Sequence, residues 1–143
     1  MHATAVVLGE YGVLIAGPSG SGKSSLALAL VDRFRAGGRF ARLVSDDQMF
    51  LSAHQGRLVC HAPSTIAGLV EIRGLGPVPA EYEAATAVDL LVRLVPANEV
   101  ERLPEEASEP LLGCIVPRLM LAEREIVVAT PALLAALGAR FVA

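Results

Sequence analysis

Residues 17–24, Gly-Pro-Ser-Gly-Ser-Gly-Lys-Ser, meet every fixed position of the pattern G-x-x-x-x-G-K-[ST]. Each residue type in that pattern has a chemical reason. Glycine lets the backbone take conformations closed to other residues and approach a ligand closely. The amide N–H groups of such a loop, with the free donors at the start of the following helix, form a concave anion site. Gly17, Pro18, Ser19, Gly20, Ser21 and Gly22 are therefore the predicted cradle. Lys23 brings a cation to the β- and γ-phosphate oxygens, and the Ser24 hydroxyl offers an oxygen ligand for Mg²⁺. With Gly at about 7% of average usage, a chance match in such a chain has odds of roughly one in a hundred or less. The expected chemistry is binding of ATP with magnesium and movement of its terminal phosphoryl group.

Two acidic sites stand where they can serve that nucleotide. Asp46-Asp47 closes the run 42–45, beside the place where the loop would deliver phosphates. Neighbouring strand residues point to opposite faces. A strand continuing through the pair lets one carboxylate face the nucleotide and sends the other elsewhere. The residues alone leave a solvated turn open as a reading. Glu71 and Arg73 share one face of Val70-Glu71-Ile72-Arg73 and read equally well as an exposed ion pair, which contributes little. The guanine-reading run Asn-Lys-x-Asp is absent, because the one asparagine, Asn98, precedes Glu99, and no aspartate has glycine three positions on.

The elements that must position these groups follow from periodicity. Residues 4–8 and 13–16 read as strands around Gly9-Glu10-Tyr11-Gly12. A helix from about Lys23 to Arg35, apolar nearly all round, is closed by Gly37-Gly38. Residues 42–45 form a third strand, 49–53 and 58–61 a hairpin, and 69–72 a strand before the turn Gly74-Leu75-Gly76-Pro77. The longest apolar run, 87–95, reads as one strand, and 104–110 as a glutamate-rich surface loop. Residues 112–116 and 119–121 read as strands around Pro117. Thr130 as N-cap, Pro131 at the first helical position and Gly138 at the end predict a short final helix. The fold class is α/β: a single P-loop kinase-like domain over 1–143, mainly β-sheet, with one dominant helix after the P-loop.

Composition narrows the partners. The chain is 53% apolar and lacks Trp, so Leu, Val and Ala must build the core. A net charge of −3 offers no basic footprint for nucleic acid or for an anionic membrane. The uncharged run 126–139 falls short of the roughly 20 residues of a spanning helix, and Pro131 interrupts it. Cys60 and Cys114 lie outside any metal spacing and read as reduced thiols. The glycine-rich loop follows Met1 too soon for a signal peptide, so the expected location is cytoplasmic.

His2, the loop 17–24, Leu43-Val44-Ser45-Asp46-Asp47 and Val70-Glu71-Ile72-Arg73-Gly74-Leu75-Gly76 together resemble HPr kinase/phosphorylase in its C-terminal catalytic domain. The resemblance runs over about residues 2–122, with a gap within 35–40, and Glu-Ile-Arg-Gly-Leu-Gly is its most specific run. The family comprises bacterial P-loop kinases that phosphorylate a serine of HPr, the phosphocarrier protein of the phosphotransferase system. The resemblance implies that residues 17–24 bind ATP and that Ser24 with Glu71 ligates magnesium. It implies that Asp47 is the general base, that His2 and Arg102 are active-site residues, and that Arg73 borders the catalytic region. His54 and His61 read as ordinary hairpin residues. The chain is expected to be a short form without the family's N-terminal domain. Where the family has Pro-Val-Arg-Pro-Gly-Arg, a loop linked to the reverse, phosphorylase, reaction, Ala122-Glu123-Arg124-Glu125 offers only Arg124. The forward reaction is therefore the expectation, and a homo-oligomer is a possible assembly. Two alternatives use the same loop: a small-molecule kinase, with 104–110 as its lid, and a non-catalytic ATP sensor.

Overall fold

The computed structural model describes residues 1–72, 74–100 and 107–140. β1 (Ala3–Leu8) and β2 (Tyr11–Ala16) form an antiparallel hairpin, Ala3 opposite Ala16 and Leu8 opposite Tyr11. The side chains of both strands meet apolar neighbours on two faces. Val6, Leu8, Val13 and Ile15 pack toward the helices, and Ala3, Ala5, Leu14 and Ala16 pack toward a second, smaller sheet. That double burial is why these strands read as continuous apolar runs rather than alternating ones.

The main sheet has six strands in the order β10-β11-β9-β2-β1-β3, with β3 at Ala41–Ser45, β9 at Leu90–Val95, β10 at Ala107–Leu111 and β11 at Cys114–Ala122. β2, β9 and β11 run parallel, and the rest of this sheet pairs antiparallel. Helices α1 (Lys23–Ala36) and α2 (Ile126–Arg140) cover one face through Leu26, Leu30, Phe34, Ala129, Leu133 and Leu137. The hairpin β6 (Leu69–Ile72) and β7 (Gly76–Pro79) leans on the same face through Val70. The other face carries the sheet β4-β5-β8, formed by Phe50–His54, Arg57–His61 and Ala85–Ala87. Its Leu58 and Cys60 join Met49 and Val88 in the second core, where burial pushes the Cys60 thiol up to about 12.

Five expectations need correction. The chain has two helices of similar length, 14 and 15 residues, rather than one dominant helix. α2 starts at Ile126, so Pro131 lies inside it and Thr130 is no N-cap; its hydroxyl instead donates to the Ile126 carbonyl at 2.8 Å. An interior proline costs about 3 kcal/mol. Full burial of a leucine contributes about 1.5–3 kcal/mol, and Leu133 and Leu137 are 0% and 6% exposed. Packing on α1 therefore carries the helix across the proline.

The run 87–95 divides between two sheets, β8 pairing with β5 and β9 with β2 and β11. Asp89 pins the crossing: its carboxylate accepts the Gly12 N–H and its own N–H donates to the Gly12 carbonyl, both at 2.8 Å. A Cβ on Gly12 would stand 1.8 Å from the Ala87 carbonyl oxygen. Gly12→Ala is expected to destabilise by about 3 kcal/mol or more, read as a lowered denaturant midpoint. A midpoint equal to the parent's would show that the two layers can separate freely there.

Residues 107–111 of the predicted surface loop form the edge strand β10, while 104–106 lie outside the described residues. Pro110 is acceptable there because an edge strand has one unpaired side. Glu109 ties the edge down. It accepts hydrogen bonds from Arg93 Nε at 2.8 Å and from Arg118 at 3.5 Å. The hydrogen bond from Arg93 holds the Glu109 carboxyl below the usual carboxylate range. A lowered carboxyl pKa contributes stability above the unfolded value, about 4.3, and that contribution is lost as pH falls toward the folded value. Denaturant midpoints should thus fall between about pH 5 and 3 less steeply in Glu109→Gln than in the parent. Parallel curves would separate Glu109 from the acid sensitivity. β11 runs unbroken through Pro117, because its pairing with β9 begins only at Arg118.

Candidate functional site

The glycine-rich segment 17–22 joins the end of β2 to the start of α1, with Gly20 and Gly22 at φ +80° and +99°. Those values explain the glycine at each position. Gly17 has a different reason: a Cβ there would meet Ser21 Oγ at 2.7 Å and Leu94 Cβ at 3.1 Å. No side chain caps α1 and no acid occupies its first turn, which leaves its N-terminal amide donors and positive dipole end to an anion.

Lys23 opens α1 and is only 5% exposed. Its ammonium donates to the carbonyls of Gly17 at 2.8 Å and Pro18 at 3.2 Å, and lies 3.4 Å from Asp47 Oδ1. Ser24, one residue on, donates its hydroxyl to Asp46 Oδ1 at 2.6 Å. Asp46 is buried, and its other oxygen accepts the Glu71 N–H at 2.8 Å. Asp46 thereby joins the start of α1 to the hairpin β6-β7, and neither of its oxygens is idle.

The condition for alternation through Asp46-Asp47, a strand that continues through the pair, is not met, because β3 stops at Ser45 and Asp47 turns to φ +66°. The chain leaves the pleat, so both carboxylates come to the side of Lys23 and Ser24. Asp46 goes inward, and Asp47, half exposed, lines a cleft of about 880 Å³ with Ser19, Gly20, Lys23, Ser24 and Glu71.

Arg124 closes the cleft from the turn between β11 and α2. At φ +61° it donates its backbone N–H to the Ser21 carbonyl at 2.8 Å and its Nε to the Gly20 carbonyl at 3.1 Å. The family resemblance gave Arg124 only as a lone match to a family loop; its hold on the glycine-rich segment spans 104 positions of sequence, beyond any local pattern. The residue spacing also gave no sign of the inward role of Asp46.

His2 is exposed immediately before β1 and does not line the cleft. Arg73 and Arg102 lie outside the described residues. No cluster of three or more His, Cys, Asp or Glu suited to a metal occurs among the described residues. Ser24 and Glu71 nevertheless share the cleft, and the Ser24 proton points to Asp46, which leaves its oxygen lone pairs available. That sparse oxygen set fits magnesium, which uses one or two carboxylates with phosphates and water.

A family model described as HPr Serine kinase C-terminal domain matches residues 1–122. The HPr kinase/phosphorylase of Bordetella pertussis is 36% identical over 127 residues, covering 80% of this chain and 39% of the relative. The protein of the same name from Clostridium tetani is 36% identical over 92 residues, covering 63% and 28%. The chain thus spans well under half the length of these relatives. A solved structure titled as the Hpr(Ser) kinase/phosphatase from Coxiella burnetii superposes with a TM-score of 0.79 at 28% identity, covering 95% of this chain and 93% of that one. With its glycine-rich loop, Asp47 and the signature glutamate Glu71 lining one cleft, and a family match over residues 1–122, the chain belongs to the HPr serine kinase C-terminal domain family.

Proposed function

We propose that this chain is an ATP- and magnesium-dependent serine kinase whose acceptor is the phosphocarrier protein HPr. It acts in the cytoplasm, with residues 1–143 as one catalytic domain. The observation that carries the reading is the convergence of Lys23, Ser24, Asp47 and Glu71 on a single cleft beside the glycine-rich loop. The acceptor comes from the relatives, which are named for HPr. Among the described residues no helix is long and apolar enough to cross a membrane.

Phosphoryl transfer is mainly a matter of positioning and charge stabilisation. Bound ATP would supply the phosphoryl group, and magnesium would supply a divalent charge that offsets the charge developing during transfer. The backbone donors of residues 17–24 would hold the phosphate tail, and Ser24 with Glu71 would hold the cation. Asp47 takes the proton from the incoming serine hydroxyl as that oxygen bonds to phosphorus and the β–γ bridging bond breaks. Lys23 lies 3.4 Å from Asp47, so one ammonium serves both the phosphate oxygens and the orientation of the base. His2 and Arg102 are proposed as further active-site groups on the family resemblance alone. The proposal covers the forward reaction only.

Incubation with radiolabelled ATP and purified HPr tests it. Label on a serine of HPr supports the reading. Label on a small molecule instead would make this a metabolite kinase, and tight ATP binding without transfer would make it a sensor.

A further inference from the structure

We infer that Thr4 is a positioning residue that holds Asp47 in the conformation required of a base; this rests on the role proposed for Asp47. Thr4 lies in β1 and is fully buried. A buried hydroxyl needs partners, and this one bonds both members of the aspartate pair. Its Oγ1 donates to Asp46 Oδ1 at 2.9 Å and accepts the backbone N–H of Asp47 at 3.2 Å. One residue earlier in β1, the Ala3 N–H donates to the Asp47 carbonyl, also at 3.2 Å. Both backbone polar groups of Asp47 are therefore tied to β1.

That double tie matters because Asp47 is left-handed, at φ +66°. A non-glycine residue keeps such a conformation only where its surroundings over-determine it. Asp47 itself is half exposed, so side-chain packing does not hold it; the bonds from β1 do. The same hydroxyl also fixes Asp46, which accepts the hydrogen bond of the Ser24 hydroxyl on the oxygen that Thr4 also bonds. Thr4 thus couples the residue proposed as base to the residue that orients the proposed cation ligand, without touching either substrate.

Valine has nearly the shape of threonine and lacks the oxygen, so Thr4→Val removes both bonds with little change of volume. Serine restores the oxygen. With HPr and MgATP, kcat is expected to fall about tenfold or more in Thr4→Val, while KM for MgATP stays within about threefold. Thr4→Ser should return kcat to within about threefold of the parent. Hydrogen exchange of the Asp47 amide gives a readout independent of turnover: it should quicken about tenfold or more in Thr4→Val and recover in Thr4→Ser. Unchanged exchange and unchanged kcat would overturn the proposal. A raised KM with full kcat would also overturn it, assigning the hydroxyl to the cation side through Asp46. If the parent places no phosphate on HPr yet the Asp47 amide responds as described, the proposed reaction fails and the hold of Thr4 on Asp47 stands.

Discussion

Replacing Lys23 with alanine should lower turnover at least about 10²-fold. The magnitude follows from what one preorganised donor contributes to a developing charge, on the order of 3 kcal/mol. Lys23 is the chain's sole lysine, so no neighbouring ammonium can substitute for it. The side chain is buried at the mouth of the loop and already donates to the carbonyls of Gly17 and Pro18. Its removal also leaves those carbonyls and Asp47 without their cation, so a weaker affinity for MgATP is expected alongside slower transfer. Circular dichroism should show the fold retained, since the aliphatic packing of α1 is carried by Leu26, Leu30 and Phe34. A variant within twofold of the parent would remove Lys23 from the mechanism.

Asp47→Asn should lower transfer to HPr at least about 10²-fold, the scale of general-base catalysis, while the dissociation constant for MgATP stays within about threefold. The substitution suits the question because asparagine tolerates a left-handed backbone as aspartate does. The geometry set by Ala3 and Thr4 should therefore survive, and only the basic oxygen is lost. The fold is expected to survive loss of the ion pair, because Asp47 is 52% exposed and the buried Lys23 ammonium keeps its hydrogen bonds to the carbonyls of Gly17 and Pro18. Loss of MgATP binding in this variant would reassign Asp47 to the cation or to structure. Full transfer would leave the proton without an acceptor on this residue. The two variants are to be read together: Lys23→Ala is expected to affect binding and transfer, Asp47→Asn transfer alone.

The candidate site was legible in uneven degree. The loop, its lysine and its serine were readable because G-x-x-x-x-G-K-[ST] is a local pattern whose backbone conformations the glycines themselves permit. The hairpin β1-β2 and helix α1 were readable for the same reason, apart from a residue or two at their ends. Asp47 and Glu71 were singled out by family resemblance, and both line the cleft. His2, singled out in the same way, stands outside it. The final helix was misread because local rules place proline at a first turn, whereas burial of Leu133 and Leu137 on α1 begins the helix five residues earlier.

Residue types and their spacing suffice for the strand, glycine-rich loop and helix that present Lys23 and Ser24, since those contacts are among near neighbours. The tertiary structure alone decided that Asp46 turns inward to Ser24 and the Glu71 amide, that Thr4 grips Asp47, and that Arg124 reaches back to Gly20. These bonds join positions 22 to 104 residues apart. Such meetings depend on sheet order, register and the burial of two apolar cores, which are properties of the whole chain and not of any short segment.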